Sequence, residues 1–510
     1  MIRGRRLCRM RSGTSSVTPK AWGNDMQGNV SRRRLLAGAA FLGSAAALAP
    51  RRLFAQTTRN ALPPSAPLPA RGEFLIRGAT VLTMDPAVPD LAAGDIHVRN
   101  GDIVAVAARI DAPGAEVIDG AGMIAIPGFV DTHFHLWTSL FRMFVRADTP
   151  ALGYFPTTAK LGPLMSPQDS YRAVRLGAAD AISAGITTIH NWAHNTRSPE
   201  HADAELSAMR DMGLRGRFAY GTPVGLPDDA PMDVAGLARV KKDWMPDKDG
   251  LLTLGISSRN LGALTVGGPA SNASRGVLTL EQLKRDWDAA RSLGLPITMH
   301  TSGASPIAEL EKAGLLGPDV QLVHPLLTTP EERAIMKARG VSYSTSPQLE
   351  ARRAARLGVI QLGELLEAGV KVSLSTDHIA SISADPFASM RILFALHQHR
   401  IGARVPLTLK RLLRLATLDG AIDLGIADRT GSITPGKRAD LVLVRTADTN
   451  IAPAGDPYEA IVSLGMPANV DTVIVDGRVL RRGSRFTAFD HPRIVAEARE
   501  AGLALQAKAK

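Results

Sequence analysis

The chain has 510 residues, 45% hydrophobic and 21% charged, which excludes a single small module, a disordered chain and a collagen-like one. The formal net charge is +12, but residues 1–55 hold eleven of the Lys and Arg residues and one acid, Asp25, so +10 of it lies there. The rest is left at +2, which gives it no general affinity for phosphate backbones and excludes a nucleic-acid partner.

From the N-terminus, Ser31-Arg32-Arg33-Arg34-Leu35-Leu36 precedes a mild apolar run to Ala49, closed by Pro50 and two arginines. The run is short and weak for a spanning helix, so no stable membrane anchor is expected. The pattern resembles a twin-arginine export signal, with cleavage after Ala55 and a periplasmic or secreted mature protein that folds before it meets the export machinery. Met26 competes with Met1 as the start, and a disordered basic tail is the alternative reading of residues 1–55. The only cysteine, Cys8, lies in this leader, so a mature chain would have no disulfide, thiolate metal site or cysteine nucleophile.

Residues 56–72 include the Pro-rich Ala61-Leu62-Pro63-Pro64-Ser65-Ala66-Pro67-Leu68-Pro69, an extended linker by composition. Residues 73–126 read as short strands such as Phe74-Leu75-Ile76-Arg77 and Ile103-Val104-Ala105-Val106, with Asn100-Gly101 and Asp119-Gly120 as hairpin turns. The same texture returns over residues 431–490, in Asp440-Leu441-Val442-Leu443-Val444 and Val473-Ile474-Val475-Asp476-Gly477-Arg478-Val479. The two β-rich ends imply one small composite β-sandwich, with residues 491–510 as a helical tail. Between them, residues 127–430 alternate apolar strands with amphipathic segments such as Glu281–Leu293. Strands end near His133, Trp192, Gly221, Ser258, His300, Pro325, Ser346 and Asp377, which argues for an α/β fold of the (β/α)8 TIM-barrel type. A doubly wound sheet is disfavoured, because no Gly-x-Gly-x-x-Gly follows the first strand.

Catalytic groups of such barrels sit at the C-terminal ends of the strands. The first strand ends Asp131-Thr132-His133-Phe134-His135, and residues two apart on a strand face the same side, so both imidazoles can meet one ion. His300, His324 and Asp377 end three further strands. Imidazoles and a carboxylate at one barrel mouth form a site for a borderline-soft divalent metal, with zinc first and iron, manganese or cobalt as alternatives. His397-Gln398-His399 repeats the spacing inside a helical stretch, where residues two apart diverge by about 200° and cannot share an ion.

Over residues 73–485 the chain resembles the amidohydrolase superfamily, in its cytosine-deaminase-like and triazine-hydrolase-like (chlorohydrolase) branch. The resemblance rests on Pro127-Gly128-Phe129-Val130-Asp131-Thr132-His133-Phe134-His135, Gly185-Ile186-Thr187-Thr188 and Gly431-Ser432-Ile433-Thr434-Pro435-Gly436-Lys437-Arg438-Ala439-Asp440-Leu441. It implies one metal held by His133, His135, His300 and Asp377, with His324 bonding the metal-bound water or the tetrahedral oxygen and Asp377 moving the proton. The fourth strand, Thr253-Leu254-Gly255-Ile256-Ser257-Ser258, lacks the bridging Lys or Glu of binuclear members. Deaminase members also carry a Glu three residues after the fifth-strand histidine, where this chain has Gly303. Glu350 is a possible substitute, although its place at a helix start reads as exposed.

Trp137, Trp192, His190, Gly303 and Glu350 are the pocket candidates. His194 and His378 lie near the strand ends, and Trp137, Phe141, Phe144, Tyr154 and Phe155 form either an aromatic subsite or a lid. The expected function is hydrolysis of a non-peptide carbon–nitrogen bond in a small cyclic or aromatic substrate, deaminase-like or amide-cleaving. Alternatives are a carbamate, urea or dehalogenating hydrolase of the same superfamily and, in another class, a non-catalytic metal-binding scaffold. Homo-oligomerisation is left open.

Overall fold

The alternating apolar runs form eight strands in the structure, a computed structural model: β1 Phe129–Phe134, β2 Ile186–Ala193, β3 Arg215–Gly221, β4 Leu252–Ser258, β5 Ile297–His300, β6 Val320–Val323, β7 Ser342–Thr345 and β8 Lys371–Leu374. The residues described are 67–227, 230–245, 250–261, 277–301, 305–401 and 404–509; the leader, the linker up to residue 66 and Gly303 lie outside them. Neighbouring strands pair in parallel from β1 to β8. Helices cover the outer face, so strands such as β2 are buried along their whole length and read as continuous rather than alternating apolar runs. The helices carry clear start signals. Thr279 and Gln282 cap Leu280–Ser292 reciprocally, and Thr329 and Glu332 do the same for Pro330–Arg339, which stops at the left-handed Gly340.

The two end strands are joined by a short seam. Phe134 and Asp377 form a parallel bridge; the Asp377 N–H donates to the His133 carbonyl at 2.8 Å, and the His135 N–H to the Asp377 carbonyl at 2.7 Å. Beneath it, Asp131 Oδ1 accepts the N–H groups of His133 and Thr376, each at 3.2 Å. The Thr132 hydroxyl lies 2.8 Å from those of Ser344 and Ser373. Gly128 opens β1 because a Cβ there would lie 2.0 Å from the Thr187 hydroxyl.

Strands from both ends of the described chain share one nine-stranded sheet. Leu441–Arg445 runs antiparallel to Met123–Pro127, which joins the two halves. Asn100-Gly101 (φ 52° and 96°) and Asp476-Gly477 (φ 54° and 72°) make the tight hairpin turns. Asp119-Gly120 does not. Glu116–Asp119 pairs in parallel with Glu73–Val81, a geometry no two-residue turn can make, and the chain instead rounds a corner at Gly122 (φ 69°) into Met123–Pro127. The sheet has its own core around Phe74, Ile76, Val98, Leu441 and Ile474. Arg215 at the start of β3 ties it to the barrel by a buried two-pronged bond to Asp440, at 2.5 and 3.2 Å. The helix His491–Lys508 packs Ala498, Ala501 and Leu505 against Trp137, Leu140 and Phe141. Among the described residues no helix is long and apolar enough to cross a membrane.

Two buried acids yield tests. Glu205, wholly buried in the helix Pro199–Asp211, accepts a 2.9 Å bond from Asn191, but burial dominates and pushes its carboxyl up to about 8. A raised carboxyl retains its proton in the fold after the unfolded chain has lost its own. Stability should therefore fall as pH rises from about 4.5 to about 8. Glu205→Gln should resemble wild type near pH 5 and exceed it by a few kcal/mol near pH 8 in urea unfolding. Parallel pH curves for the two proteins would refute this. Asp131→Ala orphans two seam donors and should cost roughly 2–4 kcal/mol in the same measurement.

Candidate active site

The ends of β1, β5 and β8 deliver a cluster. His133 Nε2 lies 3.2 Å from His300 Nε2 and 3.4 Å from Asp377 Oδ1, and His135 Nε2 lies 3.2 Å from the same oxygen. One ligand atom from each of His133, His135, His300 and Asp377 falls within 4.8 Å of all the others, the only such group found among the described residues. Burial is the first cause that holds His133 and His300 well below the ordinary imidazole range, reinforced by the neighbouring rings. Burial alone would raise Asp377, but bonds from His133 and His135 outweigh it and keep the carboxylate well below its usual range. Two neutral rings whose nitrogens face each other at 3.2 Å can share only one proton, while His133 Nδ1 and His135 Nδ1 have no protein partner. This donor set suits a divalent cation.

His324 follows β6 with φ 62°, and Asp377 follows β8 with φ 71°; both are left-handed, uncommon for residues other than glycine. His324 Nε2 lies 3.6 Å from Asp377 Oδ2, while its Nδ1 is 2.7 Å from Glu350 Oε1. Glu350 is therefore not the exposed carboxylate expected at a helix start. Its helix, Pro347–Arg352, begins directly beyond β7 and turns the side chain inward, leaving it 4% exposed behind His324. At the end of β4, Ser257 bonds the Ala219 carbonyl and Ser258 receives the Trp287 indole, so the strand brings hydroxyls and no carboxylate to the cluster.

A cavity of about 890 Å³, counting its open mouth, has His135, His300, His324 and Asp377 among its lining residues. Tyr154, Phe155, Trp192, Val224 and Leu226 contribute apolar walls, and Arg259 and Arg353 the cationic groups. Arg353 lies over the Phe155 ring, 5.4 Å from its centre. Of the pocket candidates, Trp192 is in this lining, edge-on to His133 with ring centres 4.5 Å apart. Trp137 is not. It is fully buried in the cluster under the C-terminal helix, with Nε1 3.2 Å from His194 Nδ1, and it is His194 that reaches the cavity. His190 is also absent from the lining: two residues before Trp192 on the same face of β2, it is a layer deeper, with Nδ1 3.0 Å from the Thr132 carbonyl. Gly303 lies outside the described residues. His378 stacks on Tyr154 with ring centres 4.0 Å apart, and His397 and His399 lie in the helix Pro386–Arg400.

The seam role of Asp131 is invisible without the closed barrel, and the arginines of the lining belong to no motif. Arg259 carried a usable signal, since it directly follows a strand end.

Residues 124–480 match the amidohydrolase family. The 5-methylthioadenosine/S-adenosylhomocysteine deaminase of Pelotomaculum thermopropionicum is 29% identical over 453 residues, covering 85% of this chain and 98% of its own. An adenosine deaminase from Xanthomonas campestris, solved with bound zinc, superposes with a TM-score of 0.72 at 22% identity, over 86% of this chain and all of that one. The atrazine chlorohydrolase of Arthrobacter aurescens, solved with zinc, gives 0.70 at 22% identity, over 84% and 100%. The family match spans the barrel strands that converge on the cluster and the C-terminal part of the composite sheet, so the chain belongs to the amidohydrolase family and is a hydrolase acting on carbon–nitrogen bonds.

Proposed function

We propose that the chain holds one divalent metal, zinc first, on His133, His135, His300 and Asp377, and removes an exocyclic nitrogen from a small flat heteroaromatic substrate of the purine type. The observation that carries this is the convergence of three imidazoles and a carboxylate, without enough protons to satisfy one another, beside an aromatic-walled cavity. The deaminase activities of the relatives support the purine-like choice. When bound, such an ion supplies Lewis acidity and lowers the pKa of water from 15.7 toward about 7. Asp377, held ionised, accepts the proton of the attacking water and returns it to the departing nitrogen. His324, with Nε2 facing the cluster, bonds the oxygen as the attacked carbon becomes tetrahedral. Tyr154, Phe155 and Trp192 take the faces of the flat ring and displace water from it. Gly303 favours one second reading, a urea or carbamate hydrolase whose leaving group needs less protonation. We also propose export of the folded protein through the twin-arginine route, on the strength of Arg32-Arg33.

Elemental analysis should find about one equivalent of metal per chain, and the His133→Ala/His135→Ala double variant should lose it. The metal-loaded protein should release ammonia from a panel of adenosine, 5-methylthioadenosine, aminopyrimidines and aminotriazines, and Asp377→Asn should slow it on the order of a hundredfold or more at equal metal content. Release of aniline from anilides or phenylureas, without ammonia from the panel, selects the second reading. No turnover of any compound by loaded protein sinks both. For export, changing Arg32 and Arg33 to Lys should leave precursor in the cytoplasm; unchanged periplasmic yield would contradict it.

A further inference from the structure

We propose that Glu350 is a positioning residue for the reaction, fixing the ring of His324 so that Nδ1 carries a proton and Nε2 is turned to the cluster; this rests on the hydrolase reading above. The geometry is closed on every side. Glu350 Oε1 accepts from His324 Nδ1 at 2.7 Å and from the Ser346 N–H at 2.8 Å, and Oε2 accepts from the Thr345 hydroxyl at 2.6 Å. Both side chains are 4% exposed, and among the described residues no Lys or Arg is bridged to this carboxylate. A buried carboxylate is costly unless its oxygens are satisfied, and here the only side-chain N–H it receives is that of the imidazole.

The backbone needs such a restraint. At φ 62°, His324 leaves the strand geometry, and the β-strand alternation no longer dictates where its ring points. Its main chain is pinned, with its N–H on the Ser344 carbonyl at 3.1 Å and its carbonyl receiving the Leu326 N–H at 2.8 Å, but the ring can still turn about its own bonds. The carboxylate removes that freedom. Because the Glu350 oxygens already accept from the Ser346 N–H and the Thr345 hydroxyl, Nδ1 is the donating nitrogen, and Nε2, which faces Asp377 Oδ2 at 3.6 Å, donates to the oxygen when it also holds a proton. Asp377 is the only carboxylate among the described cavity-lining residues, so Glu350 acts from behind His324, without touching the substrate space.

The test reads the nitrogen directly. In metal-free protein labelled with 15N-histidine, wild type should show a hydrogen-bonded, downfield Nδ1 proton that disappears in His324→Gln, which assigns it. In Glu350→Gln, which keeps side-chain volume, that resonance should move upfield or vanish while the melting temperature stays within a few degrees. On the panel compound that releases ammonia, kcat should fall about tenfold or more with KM within twofold and metal content unchanged, and Glu350→Asp should recover part of the loss. An unshifted Nδ1 resonance in Glu350→Gln, or an unchanged kcat, overturns the proposal. The resonance is read without metal or substrate, so it stands or falls apart from the hydrolase reading, which the metal content and panel decide. If Glu350→Ala folds, it should match or exceed the Gln defect; wild-type kcat in it would also overturn the role.

Discussion

The site depends on one exchange of backbone hydrogen bonds. Asp377 donates to His133 and accepts from His135, and these two bonds join the last barrel strand to the first. The contact that helps close the fold therefore sets a carboxylate beside two imidazoles as a consequence of pairing. Asp131 strengthens the seam from below, with one oxygen for a donor on each side. Burial pushes that carboxyl up to about 7, so the acid that braces the seam titrates near neutrality while Asp377, bonded by the histidines, stays ionised. Two aspartates in one barrel end are separated in charge state by what they bond.

The second constraint is strain. His324 and Asp377 are two of six non-glycine residues with positive φ among the described residues, and both stand directly at the cluster. A strand continuing regularly would alternate its side chains across the sheet. The left-handed step breaks that alternation and turns both groups to the cavity, at a cost of order 1–3 kcal/mol each that surrounding bonds must offset. The His324–Glu350 bond is one of those that offset it.

Behind the cluster the barrel is filled with paired polar groups rather than hydrocarbon alone. Thr132, Ser344, Ser373 and Ser375 form a hydroxyl ladder, and Gln321 reaches Asp423 at 2.7 Å. A satisfied network of this kind specifies register, because a one-residue slip would orphan several buried groups at once. The apolar share of the cavity is built instead from Trp192 on β2, from Tyr154 and Phe155 at the start of the helix Tyr154–Leu161 that follows β1, and from Val224 and Leu226 after β3. The same scaffold can thus hold the cluster constant while its loops vary the pocket.

The sequence alone determined the strand and helix order, the hairpin turns at Asn100-Gly101 and Asp476-Gly477, and the convergence of His133, His135, His300, His324 and Asp377. These are local properties: periodicity, turn chemistry and the rule that strand ends face one mouth. Only the tertiary structure decided what depends on contacts between distant elements. Trp137 looks like a pocket wall from its neighbours, but the C-terminal helix, more than 350 residues later, seals it into a core. Asp119-Gly120 looks like a hairpin, but the partner strand is supplied by residues 73–81 in parallel. Glu350 at a helix start looks exposed, because a sequence shows the helix and not the histidine 26 positions away that turns it inward. Burial and partnership arise from three-dimensional closure, so these roles appear only when the barrel is shut.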